Sequence, residues 1–376
     1  MCRLFSLTSR DPVSPMLAIN ALNVMKEGHD GSGVGLCLRG LGGPFGEMKE
    51  APILSGIFTE AGLKRLSQVS ADIGLDPKYS MTFTPKTPPP PGTPKRGTYL
   101  ARAFDIPDAW KGLAPEELAR EYTRFRLMLR TTGEEQGDMQ VFSFWPDTLM
   151  VKEVGDPMEV AAYLGLDNKD LVARQILAQG RQNTNYAINL YACHPFFIQG
   201  VCSMTNGENT AFIPIREYLA SRGVDGYCGY QSDSEVFAHI LHYTVNRLGL
   251  DLEYYKHVIT PLTNEELDGH PDRENLVRLK QACRKLVIDG PNCVIGCLPD
   301  GSMFMCQDRK KLRPGVVGGK PGVFAFSSEI CGLNAAIPDR DTSKDFQPMH
   351  LDTAIVRPDC QEVTICSQLQ ALPHLH

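Results

Sequence analysis

Thr87-Pro88-Pro89-Pro90-Pro91-Gly92 can be neither helix nor inner strand. Each proline fixes φ and offers no N–H to a hydrogen-bonded ladder. Such a run is either a linker between domains or an excursion from one domain. A chain of 376 residues is long enough for two domains or for one large one. Strand-forming sequence resumes at Tyr99-Leu100-Ala101-Arg102-Ala103-Phe104. We therefore read 77–107 as an extended surface insertion within a single domain covering 2–366, and 367–376 as a loose tail.

The rest of the chain alternates short strand-like and helical stretches. Residues 3–8 (RLFSLT) are rich in strand formers. A helix is expected from about Pro15 to Lys26, with proline near its start. Glycines at 28, 31, 33 and 35 mark a tight turn into a second strand, and Gly40 to Gly46 reads as loop. Leu118, Tyr122, Phe125 and Leu129 recur at helical spacing within 115–131. Residues 139–152 read as a hairpin or two short strands. Helices are expected at Phe212–Ser221, Ser234–Leu248 and Leu276–Leu286, with Asp233 suited to an N-cap. Cys293–Leu298 and Ser302–Gln307 read as strands joined by a Pro299-Asp300-Gly301 turn. From Leu171 onward the sequence otherwise reads as loops and helices.

Composition excludes several classes. The net charge of −6 argues against nucleic acid or an anionic membrane as the main partner. No apolar run approaches the ~18–20 residues that span a bilayer. The start, Met1-Cys2-Arg3-Leu4-Phe5, lacks the basic and long apolar regions of a signal peptide, so a cytoplasmic protein is expected. None of the 12 cysteines forms a CxxC pair, and Cys293 and Cys297 have no second pair at zinc-site spacing. No metal site is expected. Most of these thiols read as small buried hydrophobes.

Cys2 is different in its possibilities. If Met1 is removed, the residue carries a thiol and a free α-amine. That amine has an ordinary pKa of about 7.7–8.0, so it can serve as a base near neutral pH. Read alone, Cys2 is simply a buried cysteine at the head of a strand. Arg181, among small polar residues, could clamp a carboxylate with two parallel hydrogen bonds, or be a solvated loop arginine. Asn206-Gly207 could be a turn, or could aim an amide and a backbone N–H at one developing oxyanion. Asp233 in Gln231-Ser232-Asp233-Ser234-Glu235 could belong to a helix cap, or bind a substrate ammonium.

Each pattern is weak alone, but their order carries information. Cys2, Arg181, Asn206-Gly207 and Asp233 give nucleophile, carboxylate clamp, oxyanion donors and ammonium-binding acid. In this order the sequence resembles the class II glutamine amidotransferases of the N-terminal nucleophile hydrolase superfamily. It is most similar to the amidotransferase region of glutamate synthase. Cys2-Arg3-Leu4-Phe5 resembles that family's Met-Cys-Gly start. Arg181-Gln182-Asn183-Thr184-Asn185 resembles its arginine, small residues, Thr-Asn signature, and Thr205-Asn206-Gly207-Glu208 its His-Asn-Gly-Glu. Ser232-Asp233-Ser234-Glu235, Asp308-Arg309-Lys310-Lys311-Leu312-Arg313-Pro314 and Ser327-Ser328-Glu329 also have counterparts there. The family's Arg-Gly-x-Asp is Glu27-Gly28-His29-Asp30 here, its His before Asn-Gly is Thr205, and its His two residues before the clamp arginine is Gln179.

The resemblance implies an α+β fold, a four-layer αββα sandwich of two mostly antiparallel sheets between helices. It implies that Cys2 attacks the side-chain amide of glutamine and that Asn206 and Gly207 stabilise the oxyanion. Arg181, Thr184 and His194 would hold the α-carboxylate and Asp233 the α-ammonium. No cofactor is expected in this chain. FMN and an iron–sulfur cluster would belong to a partner synthase subunit that accepts the ammonia. Two other readings stay open: a subunit of an enzyme making N-methylglutamate or another γ-glutamyl compound, and a non-catalytic regulatory subunit that kept the fold.

Overall fold

The computed structural model describes residues 2–83, 85–89, 97–182, 189–224 and 232–373. In chain order its strands are β1 (Arg3–Val13), β2 (Gly33–Leu41), β3 (Pro52–Phe58), β4 (Asp76–Phe83), β5 (Thr98–Asp105), β6 (Met139–Pro146), β7 (Thr148–Glu153), β8 (Ala173–Arg181), β9 (Phe196–Ile198), β10 (Val201–Gly207), β11 (Asn292–Cys297), β12 (Met303–Gln307), β13 (Val316–Lys320), β14 (Val323–Ser327), β15 (Asp352–Val356) and β16 (Val363–Ser367). The chain divides into two compact units. One comprises Met1–Arg10 with His194–His376, the other Asp11–Cys193.

The first unit has the expected α+β layering. Its larger sheet has the order β16-β15-β12-β11-β10-β9, and β13-β14-β1 lie side by side in a second. Every described pairing among these strands is antiparallel. In such sheets paired residues share a face and alternate residues change face. Cys293 and Met305 therefore lie on one face of the larger sheet. A Cβ on Gly315, at the head of β13, would fall 3.0 Å from Cys293 Sγ and 2.7 Å from Met305 Sδ. That contact puts the two sheets face to face. The opposite face of the larger sheet carries helices: the Tyr255 ring, on Glu253–Ile259, meets Phe304 of β12 edge-on at 5.5 Å. Behind the second sheet, a Cβ on Gly318 would lie 3.1 Å from Leu333 of the helix Ile330–Ala336. Helix, sheet, sheet, helix is thus the order within this unit.

In the second unit, β4-β5-β3-β6 form a four-stranded sheet. The helices Glu60–Ile73 and Pro115–Gln136 cover it through Leu66, Tyr122, Phe125 and Leu129, packed on Phe58, Phe104 and Phe144. Burying one such side chain contributes roughly 1.5–3 kcal/mol. Strands β8-β2-β7 also lie side by side. Stretch 139–152 is two strands, and they do not pair with each other: β6 joins β3 while β7 joins β2. Asp147, at a positive φ of 50°, turns the chain from one sheet to the other.

Several expectations need correction. Residues 77–83, read as part of an irregular insertion, are strand β4. Its proline stands at a register shift between Pro77 and Tyr79 on an edge strand, where a missing N–H costs no ladder bond. Pro90, Pro91 and Gly92 lie outside the described residues. Residues 173–181, read as loop, are β8, buried along almost its whole length. Gly43–Gly46, read as loop, is a short helix. The tail is not loose as far as Pro373. Gln368 N donates to Leu351 O at 2.9 Å, Leu372 N to Asp272 Oδ2 at 2.8 Å, and Tyr254 OH to Pro373 O at 2.9 Å.

Candidate active site

Cys2 immediately precedes β1 and is half-buried. Its direction follows from its neighbours. Arg3 reaches Glu329, the residue before helix Ile330–Ala336, in an ion pair of 3.2 Å. Arg3 therefore turns to the helix side of the sheet. Thr8 meets Cys360 Sγ at 3.5 Å, and Ser6, paired with Phe326, shares a face with Val317 and so with Gly315. Alternation places Cys2 with Leu4, Ser6 and Thr8 on the face turned to the larger sheet.

Asn206 occupies the confronting face. It pairs with Cys293, which pairs with Gln307, so the three form one cross-strand row. Asn206 is buried, and its Nδ2 has no hydrogen-bond partner among the described residues. A buried amide donor left without an acceptor is costly, and such groups need an explanation. Gly207 is required by crowding: a Cβ there would fall 2.9 Å from Asn292 Cα and closer still to Pro291 O.

His194 and Asp233 flank this strand end. Thr205 N–H donates to His194 Nδ1 at 3.0 Å, so the ring carries its proton on Nε2 when neutral. Asn209 N–H donates to Asp233 Oδ2 at 2.8 Å. Burial pushes the Asp233 carboxyl above its ordinary range, against the hydrogen bonds from Asn209, Ser234 and Ser232. The N-cap expected of Asp233 is corrected. Ser234 holds that position without a side-chain cap, Ser232 Oγ accepts from Ser234 N–H at 3.3 Å, and the Asp233 carboxylate serves the 206–209 segment instead. Asn209 itself was not singled out in the sequence. Its own Nδ2 is buried without a partner among the described residues.

Cys2, His194, Asn206, Gly207 and Asp233 all fall in the first unit, whereas Arg181 belongs to the second. Thr184 lies outside the described residues. Arg181 ends β8, opposite Gly33, and its carbonyl accepts from Ser32 Oγ at 2.9 Å. Its guanidinium lies beside Cys193. Burial pushes that thiol up, and the charges of Arg181 and Lys152 oppose the shift. Lys152 Nζ also donates to the Cys193 carbonyl. The Glu27-Gly28-His29-Asp30 turn is closed by its own side chains: Asp30 Oδ1 accepts from Ser32 N at 2.9 Å and His29 Nδ1 from Gly31 N at 3.1 Å. The basic run 309–313 is structural in part: Arg309 pairs with Glu266, and Asp308 accepts from Asn292 N and Lys310 N. Among the described residues no three His, Cys, Asp or Glu side chains are grouped to hold a metal, and no helix is long and apolar enough to cross a membrane.

Comparison with known proteins gives distant relatives. No family model matches the chain. A protein of Archaeoglobus fulgidus whose function is uncharacterised is 26% identical over 372 residues, 98% of this chain and 95% of that protein. A protein of Methanothermobacter thermautotrophicus, provisionally named a glutamine amidotransferase, is 27% identical over 201 residues, 52% of this chain and 54% of that one. The chain is thus distantly related to a provisionally named glutamine amidotransferase. Among solved structures, glutamine phosphoribosylpyrophosphate amidotransferase of B. subtilis, with ADP and GMP, aligns with a TM-score of 0.44 at 10% identity, over 99% of this chain and 50% of that one. A class-II glutamine aminotransferase domain protein of Silicibacter pomeroyi aligns with a TM-score of 0.33 at 12% identity, over 58% and 84%. The chain spans half the length of the B. subtilis enzyme.

Proposed function

We propose that the chain is a glutaminase of the N-terminal cysteine type, which releases ammonia from the side-chain amide of glutamine. One observation carries the reading. Cys2 and Asn206 belong to facing sheet surfaces, and the Asn206 amide is buried without an acceptor of its own. An oxyanion formed by attack of the thiolate on an amide carbon is the acceptor that such a donor lacks.

In this scheme Cys2 Sγ bonds to the amide carbon and the carbonyl electrons move to oxygen, held by Asn206 Nδ2 and the Gly207 N–H. The α-amine of Cys2 takes the thiol proton and passes it to the leaving nitrogen. Ammonia departs, and a γ-glutamyl thioester remains. Water then adds to the thioester carbon and expels the thiol, giving glutamate. Asp233 holds the substrate ammonium, and His194 offers its Nε2–H to the substrate carboxylate. The clamp role expected of Arg181 rests on the sequence pattern, and Arg181→Lys should raise KM for glutamine.

The deciding experiment treats the protein with a glutamine-mimicking diazo-ketone and maps the adduct by mass spectrometry. An adduct on Cys2 of a chain lacking Met1 supports the scheme. An unmodified Cys2, or Met1 retained on the native protein, overturns it. The ammonia would pass to a separate synthase subunit bearing FMN and an iron–sulfur cluster, as in glutamate synthase. Co-expression with the products of neighbouring genes should then raise the glutaminase rate, and an equal rate from the chain alone would defeat that coupling.

A further inference from the structure

The motif Ser327-Ser328-Glu329 lies where β14 ends and the chain turns toward the helix Ile330–Ala336. β14 pairs with β1 in the register Phe5↔Ser327, which continues to Leu4 opposite Ser328 and Arg3 opposite Glu329. Each residue of the motif makes a bond there. Ser328 N–H donates to Leu4 O at 2.9 Å, and Leu4 N–H donates to Ser328 Oγ at 2.9 Å. A regular antiparallel pair would send that second bond to the Ser328 carbonyl. The hydroxyl takes its place, so Leu4 stays held on both main-chain groups at the point where β14 turns away. Ser328 is buried, which shields the pair of bonds from water. Glu329 reaches Arg3 in the ion pair of 3.2 Å. Ser327 Oγ holds the Glu329 main chain, donating to its O at 2.8 Å and accepting from its N–H at 3.3 Å.

These bonds bear on Cys2. A peptide unit is planar, so a held Leu4 N–H also holds the Arg3 carbonyl carbon. Between that peptide and the α-amine lie only the torsions of Arg3, whose side chain is itself held, and of Cys2. We infer that Ser328 is a positioning residue for Cys2, with Glu329 in support through Arg3: together they set where the thiol and the α-amine stand against the Asn206 amide. The inference rests on the glutaminase reading.

Glutaminase kinetics and hydrogen exchange at the Leu4 amide, both on the full chain, test it. Ser328→Ala takes the acceptor away from Leu4 N–H, so that amide should exchange faster. The kcat for glutamine should fall by about ten- to a hundredfold, the effect of misplacing a reacting group by about 1 Å. KM should stay as in wild type, because Asp233 and His194 are untouched. Ser328→Thr keeps the hydroxyl and should restore kcat. Should Ser328→Ala fail to fold, Glu329→Gln, at a carboxylate that is 41% exposed, decides in its place, and kcat must fall at unchanged KM. Unchanged Leu4 exchange, unchanged kcat, a loss carried by KM, or a loss that Ser328→Thr repeats would each overturn the positioning role while leaving the glutaminase reading intact. A wild type without glutaminase activity would overturn both.

Discussion

Asn209 N–H donates to Asp233 Oδ2 at 2.8 Å, which ties the segment after Asn206-Gly207 to the start of the helix Glu235–His242. The candidate oxyanion donors and the candidate ammonium acceptor are therefore one bonded assembly. The carboxylate gives up solvation to hold it. Its folded pKa lies above its ordinary 3.8, so its contribution to stability is full below that value and declines as pH rises through the raised one. Asp233→Asn keeps an acceptor for Asn209 and removes the buried charge. We expect a higher Tm than wild type at pH 7.5, with the difference vanishing near pH 4, alongside a raised KM for glutamine. Thermal scans across pH and steady-state kinetics check the two halves separately.

Asn206→Ala removes a buried donor that no described residue accepts. Stability should change little or improve, because a desolvated amide is lost with no bond broken. Glutaminase kcat should fall by about 10²–10³. A large Tm loss would mean that the amide serves the fold instead.

Gly207→Ala drives a Cβ into backbone at Pro291 and Asn292. Overpacking of this kind costs about 1–3 kcal/mol. Gly112→Ala is the matched control, since nothing lies within 4 Å of a Cβ there. Chemical denaturation of the two variants should show the loss in the first alone.

His242 and His257 are both buried, and burial lowers each to about 3. A depressed histidine stabilises the fold above its ordinary 6.5, and that stability is lost as pH falls toward 3. Unfolding free energy should drop by about 1.4 kcal/mol per pH unit for each histidine across that window. His242→Gln with His257→Gln should flatten the profile. An unchanged slope would mean that both rings are protonated in the folded protein.

Ending the chain after Ser367 removes the Gln368, Leu372 and Pro373 tethers. Tm should fall by several degrees. The sequence hid these tethers because their partners, Thr260, Asp272 and Tyr254, lie about a hundred residues away. The same reason concealed β8, whose short apolar run takes its identity from β2. Where structure is set by neighbours, the sequence was legible: the helix Phe212–Ser221 and strands β11 and β12 stand within a residue of expectation. Cys2, Asn206 and Asp233 were legible as residue types in order. The tie between Asp233 and Asn209, and the Arg181–Cys193 contact, were not, since no spacing rule encodes a bond across a fold.

Phe5 finds its strand partner at Ser327, close to the far end of the chain. A pairing of such long range must wait for nearly the whole protein to be synthesised. Residues 11–193 are contiguous and can close on themselves as they emerge. Until Ser327 has been made, the edge of β1 that β14 covers has no partner. On that side the segment bearing Cys2 stays open to processing enzymes, oxidants and wrong strand partners for most of the time the chain is being made.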